Sequence, residues 1–459
     1  MGKKRFREEK DALGTVEVPE DAYFGAGTQR AVDNFPISGL NMPIPMIRAL
    51  ALVKKGASRV NQRLGLLEEK IAGAIADAAQ EVMEGRFDDQ FVVDVFQTGS
   101  GTSTNMNMNE VIASRANETL TGKKGGKSPV HPNDHVNLGQ SSNDVIPSVI
   151  HISARQMIQN DLLPSLALLQ LALNDKASQF SKVKKIGRTH LQDAVPMSLG
   201  QEFSGYCRQV DLGIKRIESA SRDLEELALG GTAVGTGLNA HPEFAGNVIG
   251  YISDQTGIRF REAENHFEAQ GARDAVVFFS GALKTLAVSM VKIANDIRWL
   301  GSGPRCGLGE ILLPSLQPGS SIMPGKINPV IPEAVVQVAA QVMGNDTTIM
   351  LGGQGGNFEL NAMLPVIAHN LLQSIQLLSS AATVFAQKCI QGLTADERTC
   401  SENVDKSLAL ATYLVPDLGY DRASQIAKQA HETGRTVKEI AVEENILSEA
   451  DFNQLLKDL

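Results

Sequence analysis

Phe358 to Leu378 reads FELNAMLPVIAHNLLQSIQLL, and how this stretch folds decides the architecture. Leu360, Leu364, Ile367, Leu371, Ile375 and Leu378 recur at steps of three and four, the spacing that lines one face of a helix. Pro365 either kinks that helix or marks a late start, because proline lacks an N–H and crowds the preceding turn. Similar patterns run through residues 144–179, 196–229, 262–299 and 329–350. Period-two alternation is scarce, so β structure is expected to be minor. Five long helical segments between residues 140 and 390 predict a central bundle in a mainly α protein. Several carry apolar residues on more than one face, as in NPVIPEAVVQVAAQVM (328–343), which argues for oligomer packing around that bundle.

Around the bundle the sequence divides three ways. Residues 1–138 form a mixed, mostly helical unit, 139–392 the bundle, and 393–459 a small helical unit. The last helix opens with SEAD, where Ser448 and Asp451 make a capping box before Phe452, Leu455 and Leu456. The chain has 459 residues, of which 42% are hydrophobic and 5% aromatic, so its core rests on aliphatic side chains that suit packed helices. A net charge of −9 gives no basic face for nucleic acid or an acidic membrane. The N-terminus MGKKRFREEKDALG has no apolar core of a secretory signal, and Phe6 stands where myristoylation at Gly2 needs Ser or Thr. No uninterrupted apolar run reaches the roughly 20 residues of a membrane span. Cys207, Cys306, Cys389 and Cys400 show no CxxC pairing and read as reduced, mostly buried thiols, so a cytoplasmic location is expected.

Two motifs mislead. TGKKGGKS (121–128) resembles a phosphate loop, but Thr121 stands where the first glycine belongs and Pro129 follows where a helix should start. It reads as an exposed basic loop. HPNDH spaces His131 and His135 as zinc-binding helices do, yet Pro132, Asn133 and Asp134 favour a turn and no catalytic glutamate is present.

Four polar stretches interrupt the helical pattern: QTGSGTSTNMNMNE (97–110), HPNDHVNLGQSSND (131–144), GRTHLQDA (187–194) and GSSIMPGKINP (319–329). Each alone reads as turns and caps; together their hydroxyls, amides and exposed backbone N–H groups can surround a small carboxylate. His190 is either held structurally by Thr189 and Gln192 or is a proton-transfer group, since an imidazole exchanges protons near neutral pH. Lys326 is either solvated or a carboxylate clamp on a lid hinged at Gly319 and Gly325.

These segments carry a resemblance. GSSIMPGKINP is similar to the signature of the fumarase/aspartase superfamily, and the similarity runs from VPEDAYFGAGTQR to the C-terminal helices. The resemblance implies a three-domain fold, a core of twenty helices in a homotetramer, and active sites built from three subunits. It also implies β-elimination on a small C4 dicarboxylate, with no metal or organic cofactor. Within the superfamily the chain resembles the metal-free class II fumarases at QTGSGT, HPNDHVN, QSSND, GRTHLQDA and GNFELN. Aspartate ammonia-lyases usually carry Gly-Gly-Ala-Gly-Thr for QTGSGT, Thr for Ser142, and Gln-Leu for Asn357-Phe358. The activity so implied is reversible anti-elimination of water from (S)-malate to give fumarate, a tricarboxylic acid cycle step. An ammonia-lyase on the same scaffold and a catalytically silent helical oligomer are the rival readings.

The resemblance assigns Ser320 as the catalytic base, with His190 as proton donor from the opposite face and Glu333 charging or orienting it. Ser100, Gly101, Thr102, Ser141, Ser142, Asn143, Thr189, Ser321, Lys326, Ile327 and Asn328 are the implied substrate-binding residues. His131, Pro132, Asn133 and Asp134 correspond to a secondary anion site in some fumarases. There, an Arg often precedes the turn at the position Ser128 occupies here, which weakens that site. Gly139 likewise replaces a serine common in the family.

Overall fold

The computed structural model describes residues 5–457, and the burial of side chains up to residue 454. Gly2 and the side chains of Leu455 and Leu456 therefore lie outside the described residues. The chain opens with an antiparallel hairpin of β1 (Phe6–Asp11) and β2 (Gly14–Pro19). Helices α1 (Ala26–Asn34), α2 (Ile44–Arg63), α3 (Glu69–Met83) and α4 (Thr102–Thr121) follow. Then come α5 (Ser142–Met157) and α6 (Leu163–Gln179), joined by a π turn at Ile158–Leu162 into one long helical run. A second hairpin, β3 (Lys184–Thr189) and β4 (Gln192–Ser198), leads into α7 (Leu199–Ser221) and α8 (Phe244–Thr256). The rest of this region is α9 (His266–Gly271), α10 (Asp274–Leu300), α11 (Val330–Gly353) and α12 (Leu364–Phe385). Each sheet among the described residues has only two strands, so the protein is mainly α as expected.

The opening stretch is helical from Leu364 onward, and Leu364, Ile367, Leu371, Ile375 and Leu378 are all fully buried. Pro365 sits in the first turn of α12, where no intrahelical N–H is needed. The late start of the two alternatives is the one realised. Leu360 is not on this face: it belongs to a short hairpin pairing Gly356–Asn357 with Leu360–Asn361. Asn361 ends that hairpin, its Oδ1 accepting the Met363 N–H at 2.8 Å while its Nδ2 donates to Gly352 O. Such local side-chain capping competes with helix extension.

Two other segments are shorter than their periodicity predicts. The 196–229 pattern holds a helix only over Leu199–Ser221, followed by a 3-10 turn at Arg222–Glu225. The 262–299 pattern breaks at Ala272, whose extended backbone (φ −101°, ψ 164°) separates α9 from α10. In α11 the buried apolar positions Pro332, Val335, Ala339, Val342 and Ile349 form one stripe, leaving Met350 and Leu351 exposed. Burial all round that helix does not occur within one chain. α10 is long and apolar enough to cross a membrane by length and composition alone. It is nevertheless interrupted by Lys284 and Lys292, which pair with Asp346 and Asp296, and its Val276, Phe279, Leu283, Met290 and Ile297 are buried.

Two compact units divide the chain. One holds residues up to Pro164, Lys215–Thr285 and Ala340–Ser379; the other holds Ser165–Ile214, Leu286–Ala339 and the residues from Ser380 onward. In the first, α2 packs against α3, α5 and α8, and Met46, Ile47, Leu50, Val53 and Ala57 are buried along it. In the second, the C-terminal helices enclose a cluster of Leu410, Leu414, Ile426, Ile440 and Phe452 with Ile186 of β3. Ser448 Oγ accepts the Asp451 N–H at 3.1 Å and donates to its carboxylate at 2.6 Å, so half of the expected reciprocal cap is joined instead side chain to side chain. All four cysteines are free. Cys389 and Cys400 are buried and burial pushes both thiols up to about 12, whereas Cys306 is exposed and Cys207 half-buried, fewer buried thiols than expected.

Candidate active site

The QTGSGT and QSSND segments meet at the N-termini of α4 and α5. Thr102 opens α4 and Ser142 opens α5, and their hydroxyl oxygens lie 2.6 Å apart. Ser100 Oγ is 2.7 Å from Thr102 Oγ1, so three hydroxyls are chained across two helix starts. Gly101 precedes α4 at φ 72° with Ile146 against it, a left-handed position that suits glycine. Gly99 is packed so that a Cβ would lie 1.8 Å from Ala362 O, and its own carbonyl accepts the Leu364 N–H. This pins the loop to the start of α12.

Ser141 caps α5, its Oγ accepting the Asn143 N–H at 3.2 Å while Asp144 accepts the Ser141 N–H at 2.9 Å. Asn143 Nδ2 donates to Ala233 O. Helix N-termini carry partial positive charge and unpaired N–H groups, so a carboxylate seated on these half-buried hydroxyls is favoured. Ser100, Gly101, Thr102, Ser141, Ser142 and Asn143 are thus gathered at two adjoining helix starts.

Thr189 and His190 lie at the tip of the β3–β4 hairpin, exposed. His190 and Leu191 form its two-residue turn at φ 56° and 59°. Tight hairpins require positive φ at both positions, which Asn-Gly fills readily and Leu does not. Backbone held this way costs of order 1 kcal/mol per residue and concentrates at functional sites. Among the described residues none hydrogen-bonds the His190 ring, so neither Thr189 nor Gln192 holds it structurally.

The hairpin is anchored from below. Arg188 donates to both oxygens of Glu310, at 2.9 and 2.7 Å, and Glu310 is fully buried. Lys185, also buried, lies 3.5 Å from Glu310 and 3.1 Å from Glu202. The hydrogen bond to Glu310 holds the Arg188 guanidinium above its ordinary range despite burial. Glu310→Ala would leave two cations without their shared partner. It is expected to lower stability by about 3–5 kcal/mol, read by chemical denaturation, with a fall in kcat as the hairpin tip loosens.

The GSSIMPGKINP segment is a compact exposed loop tied at its neck. Gly319 N–H donates to Lys326 O at 2.8 Å and Asn328 Nδ2 donates to Gly319 O at 2.8 Å. A Cβ on Gly319 would lie 2.5 Å from Lys326 O, so only glycine closes this neck. Gly325 turns the tip at φ 81°. Ser320 Oγ accepts the N–H groups of Ile322 and Met323, at 3.2 and 3.0 Å. Ser321, Lys326 and Ile327 are exposed. Lys326, Ile327, Asn328 and Glu333, the last in the first turn of α11, line a cleft of ≈ 440 Å³ with Arg298 and Trp299. Among the described residues no hydrogen bond within the chain joins Glu333 to His190.

His131, Pro132, Asn133 and Asp134 share a π turn, Pro132–Val136. His131 Nδ1 accepts the N–H groups of both Asn133 and Asp134, at 3.2 and 3.1 Å. That nitrogen carries no proton in this arrangement, so the 3.3 Å approach of the Asp134 carboxylate is not an ion pair. The two backbone donors most suited to an anion are already satisfied. His135 Nδ1 likewise accepts the His131 N–H at 2.9 Å, and burial lowers the affinity of His135 for a proton. The two imidazoles therefore cap a turn, and the GKKGGKS loop before it is exposed apart from the half-buried Lys124 and Gly125.

Some supporting residues escape local sequence reading. Asp144, fully buried, also accepts the N–H groups of Gly230 and Thr232 at 3.0 Å each. Its place three residues after Ser141 is a capping-box signal that was legible. Glu310 and Lys54 carry no such local signal.

A family model described as Lyase matches residues 14–344, and one described as Fumarase C C-terminus matches residues 410–457. A fumarate hydratase class II of Nitrosomonas europaea is 56% identical over 98% of this chain and 97% of its own. The mitochondrial fumarate hydratase of Saccharomyces cerevisiae is 53% identical over 98% of this chain and 92% of its own. Among solved structures, a class II fumarase from Schistosoma mansoni superposes with a TM-score of 0.94 at 41% identity, covering 98% of both chains. Fold and site thus define a lyase of the fumarase/aspartase architecture. Within that class, the chain belongs to the class II fumarate hydratase family.

Proposed function

We propose that the protein is a hydro-lyase that interconverts (S)-malate and fumarate by anti-elimination and addition of water. The full-length likeness to fumarate hydratases carries this reading, and the hydroxyl socket at two helix N-termini suits a small dicarboxylate. Removing a proton beside a carboxylate builds charge on that carboxylate, which fixed donors must stabilise. Ser320 takes the proton. Its Oγ already receives two backbone N–H groups, the donors an alkoxide requires. Lys326 and the second N–H of Asn328 hold the developing dianion, and Ser321 binds substrate beside them. On the opposite face His190, directly or through a water, gives a proton to the departing hydroxide, and Glu333 charges or orients it.

The carboxylates and hydroxyl of substrate are held by Ser100, Thr102, Ser141, Ser142, Asn143 and Thr189. We assign the working form as a homotetramer with each site assembled from three subunits. The exposed Phe278, Val288 and Trp299 of α10 and Leu351 of α11 support it, as apolar surface on long helices favours burial between copies. We assign domains at 1–138, 139–392 and 393–459, the last a small helical unit whose buried cluster also takes in Ile186 of β3. The yeast relative is mitochondrial, so family membership does not assign a compartment, and the unpaired cysteines favour a reducing one.

The test is to incubate the purified protein separately with malate and with aspartate and follow the ultraviolet absorbance of fumarate. Signal from malate is expected. Signal from aspartate alone would make it an ammonia-lyase, and none from either would leave the silent oligomer.

A further inference from the structure

The carboxylate socket rests on a buried polar layer that the reaction itself does not explain. Lys54 of α2 is fully buried, and its Nζ donates to Asn137 Oδ1 at 2.9 Å and Gln140 Oε1 at 3.0 Å. Asn137 Oδ1 also accepts Asn105 Nδ2 at 3.1 Å and Asn109 Nδ2 at 3.2 Å, both from α4. Asn137 Nδ2 donates to Gln140 O, and Gln140 directly precedes the Ser141 cap of α5. One ammonium is therefore joined, through a single asparagine oxygen, to the first two turns of α4, and through Gln140 to the residue before α5.

Two helix starts whose hydroxyls must stay 2.6 Å apart are thus tied to a common point. Burying an ammonium is costly, and burial here lowers its pKa to about 7, with the Asp144 charge opposing that shift. A methionine of similar length would fill the space at less cost, so the charge is not explained by packing. We propose that Lys54 is a positioning residue for substrate: through Asn137 and Gln140 it locks the starts of α4 and α5 in register behind the carboxylate socket. This rests on the reading of that socket as the dicarboxylate site.

Two neutral variants separate the roles. Lys54→Met removes both the hydrogen bonds and the charge; Lys54→Gln keeps an amide donor. Both are checked for intact secondary structure and native oligomer size before use. In Lys54→Met, KM for malate is expected to rise at least about 10-fold, the size of one charge-assisted hydrogen bond. Binding of succinate, a saturated dicarboxylate that cannot react, should weaken in parallel by calorimetry, with kcat changed less than KM. Lys54→Gln should recover part of the loss.

Amide hydrogen exchange over residues 137–145 in the unliganded protein gives a readout independent of substrate. It should be faster in Lys54→Met than in wild type. Unchanged exchange together with unchanged succinate affinity in a folded Lys54→Met, or in Lys54→Gln if Lys54→Met does not fold, would overturn the proposal. Faster exchange in a protein whose wild type neither binds succinate nor turns over malate would instead retain the positioning role and remove the dicarboxylate reading.

Discussion

Ser320→Ala is expected to lower kcat by about 10³-fold or more while leaving the protein folded. A positioned general base contributes about 10²–10⁴-fold, and here the same oxygen would carry the charge that two backbone N–H groups are placed to hold. The stability cost should be small, under about 1 kcal/mol, because Ile322 and Met323 lie exposed and water can replace the lost acceptor. Those two hydrogen bonds also describe a hydroxyl that merely shapes a turn, so a second variant is needed. Asn in place of Ser320 can accept the same N–H groups through its carbonyl oxygen but cannot accept and return a substrate proton. If Ser320 is the base, Ser320→Asn is as inactive as Ser320→Ala. Recovery of near-normal turnover by Ser320→Asn, or its retention by Ser320→Ala, would reduce the serine to a turn residue.

His190→Asn is expected to reduce kcat by about 10²-fold with no loss of thermal stability. The physical basis is unusually clean, since the residue sits exposed at φ 56° in a two-residue turn. Asparagine is among the residues that tolerate this backbone best, so the substitution removes the imidazole without straining the hairpin. A structural histidine would show the opposite pattern, with a lowered melting temperature and activity lost in proportion to unfolding.

Both variants act on loop residues, His190 exposed and Ser320 half-buried, whereas Glu310→Ala strikes the buried ion pair that holds the hairpin. Those loops differ in how they are held. The hairpin is anchored by a bidentate Arg188–Glu310 pair below it, and the 319–328 loop by two hydrogen bonds at its neck. A rigid base under an exposed tip lets a side chain reach a substrate while its own position stays defined.

Much of this was legible in the chain itself. The step of three and four in Leu364 to Leu378 names the buried face of α12, because only one stripe of a helix can face a core. The Gly, Ser, Thr and Asn clusters mark the helix starts and turns where backbone donors are left free, so the polar segments of the site were visible as interruptions. The same periodicity overran the true ends at Leu360, at 196–198 and before Asp274. Helix ends are set by competing local bonds, such as the Asn361 cap, rather than by hydrophobic spacing.

The sequence by itself determined the helical class, the buried faces and the residue types able to bind a carboxylate. Those depend on period and side-chain chemistry, which are properties of neighbours along the chain. Only the tertiary structure decided that Thr102 and Ser142, 40 residues apart, share a hydroxyl contact, and that Glu310 anchors a hairpin 122 residues before it. It also decided that Lys54 lies buried beneath two helix starts. Such pairings are made when separate helices are brought side by side by burial of their apolar stripes, and no local pattern records which polar residues that packing will place together.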